Sequence, residues 1–167
     1  MLNSRMCRIL LGALGGVLVG AIALFPNAAW AAGIDPYVAR YFDAREPVAL
    51  PYTANETRSY TAQDLSQGKQ LFEANCLNCH VGGITLPDPT VTLSLESLQQ
   101  ATPSRDTVQS LVNFSRQPMT YDGSEESIWC RQVSSDWMDD KTLENLAAFL
   151  LRAAEKAPGW GSRDPFQ

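Results

Sequence analysis

The sequence predicts an all-α domain with one small β-hairpin on its N-terminal side, and three observations carry that expectation. Thr61 and Asp64 open a segment in which Leu65, Gly68 and Phe72 recur every three or four residues, the period of one helix face. Asp139 opens a second such segment, with Leu143, Leu146, Ala147, Phe149 and Leu150 toward its buried side. Two strand-like runs, 48–52 and 57–60, are separated only by Thr53-Ala54-Asn55-Glu56, a spacing that suits a hairpin.

Taken in order, the chain opens with Arg5 and Arg8, an apolar run over 9–25, and Pro26-Asn27 ahead of Ala29-Trp30-Ala31. A charged start, apolar middle and small-residue end predict a secretory signal cleaved after Ala31. The run approaches the roughly 18 residues of a membrane-spanning helix, but its glycines and terminal proline favour cleavage over anchoring. The expected division is 1–31 as signal peptide, 32–56 as N-terminal extension and 57–167 as the main domain, one core in all. Cleavage removes two of 13 basic residues and none of 18 acidic ones, so 11 stand against 18 and the net charge is about −7. Such an acidic surface excludes nucleic acid as a partner and leaves only peripheral membrane association; it suits a basic protein docking site.

Pro36 at an early helical position suits a short helix over 36–44, and the hairpin follows. Thr61 then reads as an N-cap, with Asp64 placed to reach back to the cap amide. Gly68 costs a helix up to about 1 kcal/mol, which close approach of a second helix offsets. Residues 94–100 suit a short helix. After Pro103, residues 104–116 read as another, with Val108, Leu111, Val112 and Ser115 on one face and Pro118 ending it. Thr120-Tyr121-Asp122-Gly123 is a turn, and 125–138 lacks a clear period. Asp139 caps the last helix, Met138 and Leu143 form its hydrophobic staple, and this helix is expected to cross the one containing Gly68.

The first long helix runs into Cys76-Leu77-Asn78-Cys79-His80. Two cysteines three apart with histidine directly after the second form the attachment pattern of a c-type haem. Each thiol adds to one vinyl group of the porphyrin, and the adjacent imidazole is brought to the iron as proximal ligand. His80 is the sole histidine of the chain, which argues against coincidence. The rival readings are a redox disulfide or a zinc site of Cys76, Cys79, His80 and Cys130. Adjacent Cys79 and His80 make awkward ligands for one zinc ion, and no thioredoxin-like strand and helix pattern surrounds the pair. In the loop after the motif, the carbonyl of Pro89 is the candidate acceptor for the second ring nitrogen of His80. Export agrees with the cysteine usage, because haem attachment needs thiols delivered outside the reducing compartment, and Cys130 is left over as an odd thiol.

A capped helix ending in this motif, middle helices and a crossing C-terminal helix together resemble a class I cytochrome c. The chain is similar in particular to the cytochrome c-550 family, the lumenal haem protein associated with photosystem II in cyanobacteria. Gly68-Lys69, Leu71-Phe72, Cys79-His80-Val81-Gly82-Gly83-Ile84-Thr85, Ala101-Thr102-Pro103, Arg105-Asp106, Leu111-Val112, Pro118, Thr120-Tyr121-Asp122-Gly123 and Gly159-Trp160-Gly161 carry the resemblance over 57–161. It implies a class I cytochrome c fold, one haem c bound through Cys76 and Cys79, and a place in the thylakoid lumen. Arg105 is a candidate haem-propionate contact, weighed against a solvated surface position. The family's distal ligand is a second histidine after the Tyr-Asp-Gly turn. Here that neighbourhood reads Trp129-Cys130-Arg131, which points to a diverged paralogue.

The sixth iron ligand is accordingly expected to be Cys130, with Met119, Met138 or water as alternatives. Thiolate ligation predicts a low-potential haem, and the expected function is electron transfer associated with photosynthesis, with photosystem II or a soluble redox protein as partner. Two alternatives remain at this point: an extrinsic structural subunit of photosystem II, and a thiolate-haem sensor or enzyme. No enzyme activity is expected, since the chain has no second histidine to serve peroxide chemistry.

Overall fold

The computed structural model describes residues 33–162; the expected signal segment, 1–31, lies outside them. Asp35 starts the described chain's first helix, α1 (Pro36–Tyr41), by accepting a hydrogen bond from the Tyr37 amide at 2.8 Å, with Pro36 at the position where a missing donor is harmless. The helix is shorter than the expected 36–44. Val48–Thr53 (β1) and Glu56–Tyr60 (β2) then pair antiparallel, with Val48 opposite Tyr60 and Leu50 opposite Arg58. Val48, Leu50 and Tyr60 face inward, and with Val38, Phe42 and Ala44 they bring residues 33–56 of the expected extension into the same core as the helices.

Thr61 and Asp64 form the expected reciprocal cap of α2 (Ala62–Asn75), and Leu65, Gly68 and Phe72 are buried along it. Leu95–Gln100 (α3) starts at Ser94. The next helix, α4 (Val108–Arg116), begins four residues later than the sequence suggested. Thr107 and Ser110 make a capping box there, while the Ser104 hydroxyl is committed to Asp106 at 2.6 Å. Asp139 caps α5 (Asp140–Lys156) by accepting from the Thr142 amide at 2.7 Å. Met138 and Leu143 are both buried beside that cap, as a staple requires. Leu151 is fully buried and Leu150 only half, so the inward side of α5 is rotated from the expected one.

Helices α2 and α5 make the most extensive packing between elements. A Cβ placed on Gly68 would overlap the Asn145 carbonyl oxygen and lie 2.7 Å from Phe149 Cβ, so only glycine permits the approach. Around this crossing Phe72 meets Phe149 at 5.6 Å and Trp160 at 5.4 Å between ring centroids, and Phe42 stacks on Phe149. Among the described residues the fold is thus helical with one two-stranded sheet. Among the described residues no helix is long and apolar enough to cross a membrane.

Candidate haem site

The end of α2 delivers the motif. The Cys76 and Leu77 amides both donate to the Phe72 carbonyl, at 2.8 and 3.0 Å, closing the last helical turn. The Cys79 and His80 amides both donate to the Cys76 carbonyl, at 3.1 and 3.0 Å. One carbonyl therefore gathers the next four residues, 77–80, into a single tight turn, so two thiols and an imidazole share a short arc. Cys76 is half-buried against the core, Cys79 is exposed, and Cys76, Cys79 and Cys130 are all free thiols.

His80 Nδ1 lies 3.2 Å from Thr85 Oγ1, not against the Pro89 carbonyl the sequence suggested. The reason is local. A 3₁₀ turn, Val81–Gly83, folds the chain back directly after the ligand, and the Leu86 amide donates to the Cys79 carbonyl at 2.8 Å, returning Thr85 to the ring. Pro89 belongs to a separate turn built on Asp88, whose carboxylate accepts from the Thr90 amide. With Nδ1–H donating to Thr85, Nε2 carries the lone pair that an iron would take. Burial lowers the His80 pKa and favours this neutral, ligating form.

Residues beyond α5 hold the turn in place. The Gly161 amide donates to the Gly82 carbonyl at 2.8 Å, and Trp160 Nε1–H donates to the Leu93 carbonyl at 3.0 Å. Gly83, with φ +83°, has Gly161 N and the Trp160 ring within 2.8 Å of where a Cβ would stand. Trp160 was legible only as part of a resemblance; nothing in its local spacing announces that it buttresses a segment 80 residues earlier.

Cys130 comes from the irregular segment before α5. Its amide donates to Ser127 Oγ at 3.3 Å, the Ser127 amide donates to the Pro118 carbonyl at 2.9 Å, and Met119 bridges to Glu126. Burial pushes the Cys76 thiol up to about 11, with Cys130 and then Cys79 adding to the rise. Burial likewise raises Cys130, with Arg105 opposing and Cys79 adding. The charges on Cys76, Cys79 and Cys130 are thus near enough to influence one another. Met119 is half-buried on the same loop, whereas Met138 is buried in the core as the staple of α5.

These residues fit a haem. Val81 and Leu86 just after His80 are 51% and 53% exposed, and Ile128 and Trp129 just before Cys130 are 88% and 75% exposed. Large apolar side chains are rarely left so bare at two flanks of a ligand set, and a flat apolar ring is a surface they would cover. Among the described residues no three His, Cys, Asp or Glu side chains converge to hold a metal ion unaided, so the zinc arrangement is not assembled. A cleft of about 330 Å³ bordered by Phe72, Leu77, Gly82, Phe149 and Trp160 runs from the helix crossing to the edge of the motif, with none of the four candidate residues in its lining.

The cytochrome c-550 domain matches residues 41–165. The chain belongs to the cytochrome c-550 family. It is 55% identical over 153 residues to the cytochrome c-550-like protein of Thermosynechococcus vestitus, covering 91% of this chain and 87% of that one. It is 48% identical over 153 residues to the photosystem II extrinsic protein V of Gloeobacter violaceus, covering 91% and 82%. The crystal structure of the PsbV2 cytochrome from Thermosynechococcus elongatus superposes with a TM-score of 0.76 at 58% identity, over 77% of this chain and 99% of that one. Membership brings a covalently bound haem c, for which the Cys76–Cys79–His80 turn supplies two thiols and one imidazole.

Proposed function

We infer that this cytochrome is a low-potential electron carrier of the thylakoid lumen, with its iron held between His80 and Cys130. The observation that carries the reading is a third thiol, Cys130, near enough to Cys76 and Cys79 for their charges to be felt, in a chain with no second histidine. A bound haem supplies one-electron exchange between Fe(III) and Fe(II). The protein's part is to hold that exchange in place. Thr85 orients the imidazole, the Gly161 and Trp160 contacts keep the following turn from moving, and an anionic Cys130 sulfur favours Fe(III) and lowers the potential where a methionine thioether raises it. With His80 and Cys130 both ligating, the iron would have no position left for dioxygen, which favours a carrier over an enzyme.

Cys130→Ala tests the ligand. The expected result is a changed ferric optical spectrum and a raised midpoint potential; an unaltered spectrum would take Cys130 off the iron. The kinship to photosystem II extrinsic protein V favours a second reading, an extrinsic subunit on the lumenal side of photosystem II. Co-purification with photosystem II through a moderate-salt wash is the result that supports it, and quantitative release by that wash favours the mobile carrier, which would exchange electrons with a soluble redox protein.

A further inference from the structure

Arg105 is the only charged side chain among the buried described residues, 9% exposed, and no described carboxylate forms an ion pair with it. The sequence left it open between a solvated surface position and a propionate contact, and burial removes the first. Its guanidinium carbon lies 4.1 Å from the Phe114 ring centroid, and Nη2 donates to the carbonyls of Met119 and Thr120 at 3.2 and 2.6 Å. Its Nε and Nη1 donors have no partner among the described residues. Carbonyl dipoles compensate a desolvated cation only in part. A carboxylate, which accepts two N–H groups side by side, matches the remaining donors in both shape and charge.

The place of this cation in the fold says which carboxylate that is. On one side it is tied to the attachment turn: the Leu93 amide donates to the Gly83 carbonyl at 2.7 Å, Leu93 leads into α3, and the Arg105 amide donates to the Leu98 carbonyl at 2.8 Å. On the other side, the two carbonyls it holds open the loop that ends at Cys130. Met119 bridges to Glu126, the Ser127 amide donates to the Pro118 carbonyl at 2.9 Å, and Ser127 Oγ accepts the Cys130 amide at 3.3 Å. Arg105 therefore links the turn that carries His80 to the loop that carries Met119 and Cys130, and haem c, which family membership brings, has two propionate carboxylates. We propose that Arg105 clasps a haem propionate with its free donors while Nη2 holds the backbone of 119–120, which makes it a positioning residue through which the bound haem fixes that loop. The proposal holds whichever of Met119 and Cys130 meets the iron, since the loop carries both.

The test is made on the reduced, haem-loaded protein, with isotope-labelled carbon in the propionate carboxyls and labelled nitrogen in the arginine side chains. Solid-state magnetic resonance is expected to show dipolar coupling between a propionate carbon and guanidinium nitrogen, lost in Arg105→Lys. No coupling in the unsubstituted protein would overturn the clasp, and that result needs no variant to fold. In Arg105→Gln and Arg105→Met the infrared carboxylate band of the labelled propionate is expected to shift. The Ser127 and Cys130 amides are expected to exchange about tenfold faster relative to those of α2. Arg105→Lys keeps the charge and is expected to hold that exchange within about threefold of the parent. Faster exchange with an unmoved propionate band would make Arg105 a brace of the loop alone, and a moved band with unchanged exchange would separate the haem contact from the loop. Either result overturns the proposal.

Discussion

Asp122 shows how much one side chain can organise around the site. Its carboxylate accepts from Thr120 Oγ1 at 2.7 Å, Ser124 Oγ at 2.8 Å and the Ser124 amide at 3.1 Å, and these bonds hold its pKa down to about 2 from 3.8. A carboxyl group whose pKa is lower folded than unfolded stabilises the fold fully above 3.8, and that stabilisation is lost as pH falls through about 2. Asp122→Asn is therefore expected to weaken the fold near neutrality and flatten its acid dependence between those two values, as read by denaturant titration across pH; an unchanged acid limb would contradict the bonding. The same turn was readable from Thr120-Tyr121-Asp122-Gly123 because its chemistry is local. Thr85 and Arg105 were not, since the contacts of each depend on where a fold returns the chain. Thr85→Val keeps the shape and removes the acceptor on Nδ1. It is expected to raise the potential of the haem protein, by less than Cys130→Ala does, and no change would mean that water or another group holds the ring.

The two long helices were the most legible elements, and the physical reason is that each announces itself within a few residues. Thr61 with Asp64 and Asp139 with Thr142 are cap signals closed over three positions, and Gly68 marks a helix crossing because no local need explains a glycine there. Gly68→Ala tests that crossing: the added methyl group overlaps the Asn145 carbonyl, backbone that cannot step aside, so a loss of about 3 kcal/mol is expected in chemical unfolding. A loss below about 1 kcal/mol would show that the helices separate freely. The start of α4 was misplaced because Ser104 and Thr107 are both competent caps, and only the fold reveals that Ser104 is bonded to Asp106 while Thr107 is paired with Ser110. The choice of Leu150 over Leu151 had a related cause. Helix α5 is buried across a broad arc, including Ala148, Leu151 and Ala153, and periodicity alone does not locate the centre of so wide a face.

At the scale of the molecule, the haem turn, the C-terminal tail and the Cys130 loop come from three separate stretches, and the packing of α2 on α5 is what brings them together. Trp160 ties two of them, touching Phe72 and Phe149 while bonding Leu93. Trp160→Ala is expected to cost about 3 kcal/mol and to loosen the Val81–Gly83 turn, seen as faster amide exchange there than in α4. Sequence made the attachment motif plain because five adjacent residues carry it. The proposed opposite ligand is harder to read, since Cys130, Met119 and Met138 are all candidates along the chain: Met138 is engaged in the core as a staple, while the charge of Cys130 is felt by Cys76. The central claim, an iron between imidazole and thiolate, is tested most directly by the electron paramagnetic resonance spectrum of the purified ferric protein. The account predicts a low-spin signal with the narrow g-spread of sulfur-anion ligation; a high-spin signal, or the wide spread of histidine with methionine, would contradict it.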